Sequence, residues 1–509
     1  MTSKIQKAAS RKWLPLTVRQ KWANQRVGTP EKQKQQTSQG TIKTISTTST
    51  ISSEASRRLS KKRQSGSLSR DDPAATPLHQ KAKRVSLSKS SGNENKHEAF
   101  SCQDKPMLKK LLKAGQKDDV DTVQEILEGE NCLAADAKDR YGITCLHRAA
   151  ASGSKNVIAY LVEKASINLD VTTTDGATAL HCAAGNGHLH VVEYLHKAGA
   201  QMEMELKTGE TPFFLACHNN HLATAKYLLE SAKCDIEYHN HNGTTPFHAA
   251  ASEGHVSIVK YLNESGANMA FEDIAGVAPL ASAAYFGHLQ TVEYILEKGT
   301  LDVNIQNQSG DTPLILATNR GHINVVQYLS KFKNVDLERK DKYGYTAITF
   351  AAQRGFRDIV KVLHKAGADV ETKSEAGDTP LIAASKKGHF NVVEYLVQEA
   401  KADLQNVNKQ GLSPYNVACA QGHKDIVKFY VQVRAAQGLL DSGDHFSCLT
   451  AAGRNGHLNV VQYLVGEEHV DISAHWIQSA TWLLLETSKQ VEGTRALEKR
   501  LSGDKKSLS

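Results

Sequence analysis

The sequence predicts an all-α solenoid, a stack of short helix-turn-helix units joined by loops, preceded by a disordered N-terminal region. Two observations predict it. A glycine recurs every 33 or 34 residues between positions 153 and 456, and a Ser/Thr-Pro type of marker recurs in phase with it. A fixed period of this length is typical of stacked repeats, which make a chain of 509 residues without one large core.

The recurring glycine predicts the end of a short helix in each copy. Glycine adopts the left-handed conformation that closes a helix without strain. Only Asn220 departs from glycine, and histidine follows the turn residue in eight of the ten copies. The ten turn positions are Gly153, Gly187, Asn220, Gly254, Gly287, Gly321, Gly355, Gly388, Gly422 and Gly456.

The second marker predicts where that helix begins, nine residues before each turn. A Ser or Thr stands first in nine of ten copies, where its oxygen can accept from the first helical N–H groups. Proline follows in six copies, and it suits the first helical position. Ala278 is the copy without a capping hydroxyl. After each turn, apolar residues at helical spacing, as in Val191-Val192-x-Tyr194-Leu195, predict a second helix with one buried face.

Thr-Pro-Phe-His at 245–248, Thr-Ala-Leu-His at 178–181 and Gly-Ala-Asp-Val at 367–370 resemble the ankyrin repeat. The resemblance covers about residues 105–487. It implies an ankyrin-repeat α-solenoid with helix-turn-helix plus a β-hairpin loop in each repeat, which binds other proteins and is not an enzyme. We predict a disordered basic tail at 1–104, an N-terminal capping repeat at 105–138, about ten repeats at 139–467, a degenerate C-terminal capping repeat at 468–502 and a disordered end at 503–509.

The net charge of +8 conceals two regions of opposite sign. Residues 1–100 hold 21 Lys/Arg against 6 Asp/Glu, an excess of +15, and the remaining residues hold 41 against 48, an excess of −7. The first hundred residues also hold 26 Ser/Thr and only three aromatic residues. Such a segment buries too little apolar surface to offset the entropy of ordering, so we predict disorder there.

Cysteine usage and hydropathy narrow the class of protein. The eight cysteines form no C-x-x-C pair, which fits a reduced intracellular protein whose cysteines are packing residues. No apolar run reaches about 18 residues, so no membrane insertion is expected. We expect a cytoplasmic location, with the nucleus left open.

The residues give no support for catalysis. Of the 22 histidines, eight follow the turn and three (His147, His181, His248) occupy the fourth position of the Thr-Pro-Leu-His type of motif. In ankyrin-like repeats these are structural hydrogen-bonding positions. Phosphate-loop, zinc-hydrolase, serine-hydrolase and kinase motifs are missing from the sequence. We therefore expect no catalytic residue, no metal and no cofactor, with a weak metal site at His218, His239 and His241 as the alternative.

The binding hypothesis depends on the two residues before each turn, which the resemblance places on a concave face with the hairpin tips. In the first half of the array these positions hold no Lys or Arg, but four of the last five copies hold a cation. We call these side chains the basic row: Arg320, Arg354, Lys386, Lys387 and Arg454. Tyr and Arg are enriched in binding hot spots. The aromatic neighbours are Tyr285, Phe286, Tyr343 and Tyr345.

We predict that the basic row binds an acidic or phosphorylated segment of a partner protein. The alternative is a solvated helix face whose charge is neutralised by Asp311, Glu375 and Asp378.

Three serines follow two basic residues and a spacer, and they resemble substrates of basophilic kinases such as the cyclic-AMP-dependent kinase. They are Ser60, Ser86 and Ser502. A phosphate on each would cancel part of the local positive charge. The sequence thus favours a scaffold or adaptor whose tail is regulated by phosphorylation.

Other interpretations of the tail stay open. The segment from Lys83 to Leu87 resembles the docking motif of myosin phosphatase targeting subunits, although that motif has Phe or Trp where this chain has Leu87. A phosphatase regulatory subunit is therefore one alternative. Another is a nuclear regulator that uses basic clusters such as Lys61-Lys62-Arg63 for import or for nucleic acid. A merely solubilising tail is the third, and nucleic acid is not the expected partner.

Incubation of the purified full chain with the cyclic-AMP-dependent kinase should place phosphate on Ser60 and Ser86, because both follow paired basic residues in a segment predicted to be accessible. Phosphopeptide mapping by mass spectrometry measures this. The double substitution Ser60→Ala and Ser86→Ala serves as the control and should lower phosphate incorporation. Maps in which neither serine is modified would contradict the prediction.

Overall fold

The computed structural model describes residues 104–129, 133–298, 301–439 and 442–466. The predicted disordered tail lies outside the described residues except for its last position, and so do the predicted terminal cap at 468–502 and the end at 503–509. Within the described ranges the chain forms 22 helices and no strand, so the predicted all-α class is confirmed.

First and second helices alternate along the chain. The first helices are α1 (Asp104–Lys117), α3 (Cys145–Ser152), α5 (Ala179–Gly185), α7 (Pro212–His218), α9 (Pro246–Glu253), α11 (Pro279–Phe286), α13 (Pro313–Arg320), α15 (Ala347–Arg354), α17 (Pro380–Lys387), α19 (Pro414–Ala420) and α21 (Ser442–Arg454). The second helices are α2 (Val120–Glu128), α4 (Lys155–Glu163), α6 (Leu189–Lys197), α8 (Leu222–Glu230), α10 (Val256–Glu264), α12 (Leu289–Lys298), α14 (Ile323–Leu329), α16 (Arg357–Lys365), α18 (Phe390–Gln398), α20 (Lys424–Ala436) and α22 (Leu458–Gly466).

Helix α9 shows why these short segments are helical. Thr245 caps its start by accepting from the backbone N–H of His248, and Pro246 occupies the first helical position. Gly254 ends the helix with φ of 75°, in the left-handed region. In α11 the capping position holds Ala278, which has no hydroxyl to make this bond.

One hydrophobic core runs along the described repeats. Each first helix packs against the next first helix and against its own second helix. Small residues such as Ala149 and Ala150 lie in the first helices, where they allow close approach, and large residues such as Leu161 and Leu195 come from the second helices; all four are fully buried. The core is therefore a column of repeated contacts between neighbours.

The hairpin loops, here called fingers, are also joined in series. The backbone N–H at one finger tip donates to a carbonyl of the preceding finger. Examples are Thr174 to Tyr141 at 2.9 Å, Lys342 to Ser309 at 2.9 Å and Lys409 to Ala376 at 3.0 Å. Each finger is thus held in register by its neighbour.

A row of loop carboxylates that the sequence analysis did not single out adds a second series of bonds. Glu237 accepts from the backbone N–H of Asn268 at 2.6 Å, and Glu371 accepts from that of Asp403 at 2.8 Å. Glu338 accepts from Asp369 in the same way at 2.8 Å. These acidic side chains therefore tie the loop of one repeat to the loop of the next.

The last described repeat departs from the prediction of a hairpin in each unit. Helix α20 continues to Ala436, and α21 already begins at Ser442, so helix replaces the finger expected before α21. Ser447, predicted as a cap, lies inside α21 and donates its hydroxyl to Asn416 Oδ1 at 3.2 Å.

The prediction that the cysteines are simple packing residues is wrong for one pair. Helices α19 and α21 are neighbours, and a disulfide joins Cys419 to Cys448 with their Cα atoms 5.3 Å apart. Their separation of 29 residues matches neither the repeat period nor C-x-x-C spacing, so the sequence pattern did not predict the pair. Cys145, Cys182, Cys217 and Cys234 are free.

The missing cap of α11 gives a stability prediction. Ala278→Thr should raise the free energy of unfolding by about 1 kcal/mol, because equivalent threonines such as Thr312 accept from the first turn at a similar backbone conformation. Urea denaturation measures the change. The reverse substitution Thr312→Ala is the matched control and should cost a similar amount. If Thr312→Ala lowers the free energy of unfolding but Ala278→Thr does not raise it, the surroundings of residue 278 do not accommodate a capping hydroxyl, and the prediction is wrong.

Candidate protein-binding surface

The basic row lies at the C-terminal ends of successive first helices. Arg320, Arg354 and Lys387 occupy the last turn of α13, α15 and α17. Since these helices pack side by side, their ends form one edge with an expected spacing of about 8–10 Å per helix. The corresponding position holds Gln421 just after α19 and Asn455 just after α21, and Arg454 stands one residue earlier, in register with Lys386.

Two arginines of the row reach back to the preceding repeat. The Arg320 guanidinium lies over the Tyr285 ring, 4.3 Å from its centroid, and donates a hydrogen bond to the Tyr285 hydroxyl. Arg354 Nε donates to Asn319 Oδ1 at 2.9 Å. The structure therefore brings Tyr285, Arg320 and Arg354 into one ordered series across three repeats.

Tyr285 and Phe286 form an aromatic pair at the N-terminal end of the row. Their rings meet edge to face with centroids 5.0 Å apart. Tyr285 also packs on a small buried cluster of Val277, Ala281 and Leu316, which is separate from the main core. This end of the surface thus combines apolar area with the first cation.

The two lysines of α17 differ in their surroundings. Lys386 Nζ lies 3.2 Å from Asp378, whose side chain is only 2% exposed and also accepts from Asn408. Lys387 is exposed and has no ion pair with any described residue. Neutralisation, the alternative considered from the sequence, therefore applies to Lys386 and not to Lys387.

The other two acids considered as neutralising groups are engaged elsewhere. Asp311 is half-buried, its carboxylate accepts from Asn307 at 3.3 Å, and burial raises its pKa above the usual value. Glu375 lies 4.0 Å from Lys409 of the next finger. Both contacts leave Arg354 and Lys387 as exposed positive charges.

The two finger tyrosines named as aromatic neighbours are placed differently. Tyr343 is at a finger tip, 58% exposed, with Lys342 Nζ 5.1 Å from its ring centroid. Tyr345 is half-buried at the finger base against Phe350, with ring centroids 5.3 Å apart. Burial raises the pKa of Tyr345. Tyr343 is thus open to a partner, whereas Tyr345 mainly supports the finger.

The helix dipole alone does not explain the row. A cation in the last turn of a helix is favourable wherever the helix occurs, because the C-terminal carbonyl groups carry partial negative charge. Nevertheless α3, α5, α9 and α11 have no basic residue in their last turn. Among the first helices from α3 to α17, Lys and Arg therefore occupy the last turn only in α13, α15 and α17, although α1 at the start of the array ends with Lys117.

Finger lysines of the same repeats enlarge the basic surface, and the sequence analysis did not single them out. Lys340 Nζ donates to the carbonyl of Lys373 at 3.0 Å, and Lys373 Nζ lies 3.5 Å from the carbonyl of Val407. All three residues are exposed. The sequence could have indicated these two lysines, because they stand 33 residues apart, at equivalent positions of successive repeats.

The histidines at the fourth position of the Thr-Pro-Leu-His type of motif make structural hydrogen bonds, as predicted. His248 Nδ1 accepts from the Thr245 backbone N–H at 3.3 Å, and its Nε2–H donates to the Val277 carbonyl at 3.1 Å. Burial is the main cause that lowers the pKa of His181 and His248 to about 4. These rings are therefore neutral parts of the fold.

The weak metal site is not supported by the described residues. None of their His, Cys, Asp and Glu side chains form a group of three or more that could hold a metal ion. His241 instead faces Glu205 at 3.6 Å, and the His239 ring packs 5.7 Å from that of Phe271. Among the same residues, no helix has the length and apolar character needed to cross a membrane.

Comparison with protein families agrees with this architecture. The family model for ankyrin repeats in three copies matches residues 111–205, 198–273, 215–307, 280–374 and 366–437. These overlapping matches cover more than half of the chain, so the protein belongs to the ankyrin repeat family. Repeats of this family are generally protein–protein interaction modules. A search of curated protein sequences finds no match.

The buried histidines predict how stability depends on pH. In the unfolded chain His181 and His248 titrate near 6.5, and in the folded chain near 4, so the unfolded chain takes up protons first as the pH falls. The free energy of unfolding should be fully retained above about pH 6.5 and decrease between about pH 6.5 and 4. Urea denaturation across this range measures it. The variant His248→Gln should show a weaker dependence, and an unchanged slope would contradict the assignment.

Proposed function

We propose that this protein is a non-enzymatic scaffold or adaptor that binds an acidic or phosphorylated segment of partner proteins along the basic row. The observation that carries the proposal is that three consecutive first helices, α13, α15 and α17, have Arg or Lys in their last turn, with Arg354 and Lys387 exposed, whereas the first helices from α3 to α11 have neither there. Positive surfaces of this kind attract and orient acidic partners.

The composition of the neighbouring surface supports a protein as the partner. Tyr285, Phe286 and the exposed Tyr343 lie in the same repeats as the cations or next to them. Aromatic and arginine side chains together are typical of the centres of protein interfaces. The proposal includes a cytoplasmic location and phosphorylation of the basic tail at Ser60 and Ser86 as its regulation, both founded on the sequence alone.

Charge reversal tests the proposal. The double variant Arg354→Glu and Lys387→Glu should abolish capture of partners that bind through the row, because attraction becomes repulsion at two exposed positions. Affinity capture with the full chain, followed by direct binding of the purified partners, measures the loss.

Lys365→Glu is the matched control. Lys365 is also an exposed lysine in the last turn of a helix in the same part of the array, but it belongs to a second helix, α16. Partners should be retained by this variant. Equal capture by all three proteins would refute the proposal.

A further inference from the structure

The basic row differs from a phosphate-binding cluster in how its charges are spaced. Phosphate sites generally converge several donors on one group. Here Arg320, Arg354 and Lys387 come from three different first helices, with one exposed or half-exposed cation from each. Lys386, which stands beside Lys387, is already paired with Asp378. A series of single carboxylates matches this arrangement better than one doubly charged phosphate.

The spacing of the row also selects a backbone conformation. Neighbouring packed helices lie about 8–10 Å apart. A polyproline II segment turns once every three residues and rises about 9 Å per turn, so every third side chain points to the same side at this spacing. In a β-strand, the next two side chains on one face lie at about 6.6 Å and 13 Å, and neither distance matches the step between adjacent helices.

A side chain in the gap of the row favours the same conformation. Gln421 is exposed at the position that corresponds to Lys387 in the next repeat, and its amide can donate a hydrogen bond. A polyproline II backbone has carbonyl groups open to such donors, whereas an α-helix satisfies its own.

We infer that the segment bound by this surface is a polyproline II stretch with an Asp or Glu at every third position, one carboxylate for each of Arg320, Arg354 and Lys387. This inference rests on the proposed function and specifies its ligand. The recognised chemistry is the carboxylate period, so two segments of equal charge bind differently when their acids are spaced differently.

Two labelled peptides of nine residues test the period with the full chain. The spaced peptide is Glu-Pro-Pro repeated three times, and the blocked peptide has three adjacent Glu flanked by three Pro on each side. Their composition, charge and backbone preference are the same, so nonspecific attraction, including that of the basic tail, is the same for both. Fluorescence anisotropy should show that the spaced peptide binds about five- to tenfold more tightly, from two additional surface ion pairs.

Substitutions test whether the preference for the spaced peptide depends on the basic row. Arg354→Glu should reduce the affinity for the spaced peptide to that for the blocked one, and Lys365→Glu should leave their ratio unchanged. Equal affinities for the two peptides in the unmodified chain would overturn the inference. If both nevertheless weaken with Arg354→Glu, the proposed function stands and only the period is wrong. If neither responds to Arg354→Glu and Lys387→Glu together, the proposed function is wrong as well.

Three further ligands exclude other occupants. One is a peptide of equal charge with a phosphoserine beside a single Glu, another is an alanine-based helical peptide with glutamates seven residues apart, and the third is an oligothymidylate. Tighter binding by any of them than by the spaced peptide, lost with Arg354→Glu, would overturn the assignment to a carboxylate-bearing polyproline II segment. Weaker binding by all three supports it.

Discussion

The contact between one repeat and the next is the constraint on which the rest of the structure depends. Each unit contains only two short helices, which are too few to bury an apolar face alone. Every repeat therefore buries its apolar faces against its neighbours, and the same pair of surfaces meets at each junction. The histidine after the turn enforces this register: His255 donates to the carbonyl of His218 at 2.9 Å, and His389 to that of Gln353 at 2.9 Å. The hydrogen bonds between fingers and those of the loop carboxylates also join each repeat to the next, at two other places in the repeat.

Because successive repeats pack in a fixed register, equivalent positions of neighbouring repeats lie side by side on the surface. The residue before each turn always falls at the same helix end, so cations 34 and 33 residues apart, at Arg320, Arg354 and Lys387, become neighbours. No folding of distant segments is needed to assemble the surface. Exchanging one residue of one repeat changes the charge at one step of the row and leaves the core intact, because these side chains do not enter the core.

The sequence predicted the helices and the fold well, because turn glycines and capping threonines act within a few residues of their own position. It also predicted which positions share a helix end. It did not predict that Asp378 would neutralise Lys386 but leave Lys387 open, since two adjacent residues on a helix point in different directions. The disulfide between Cys419 and Cys448 and the helix in place of the last finger were missed as well. The helix departs from the periodic pattern at α20 and α21, and a periodic template contains no information on such departures. The two cysteines lie 29 residues apart on neighbouring first helices, a separation that matches neither the repeat period nor C-x-x-C spacing.

The aromatic pair of Tyr285 and Phe286 lies at only one end of the basic row, and this asymmetry has a consequence for scaffolding. A segment with an apolar end and an acidic end fits the surface in one direction, with its apolar end toward the N-terminal repeats and its acidic end toward α21. Under the proposed function, this polarity would set the direction in which a partner segment lies along the array, and the rest of the partner would then extend from the C-terminal side.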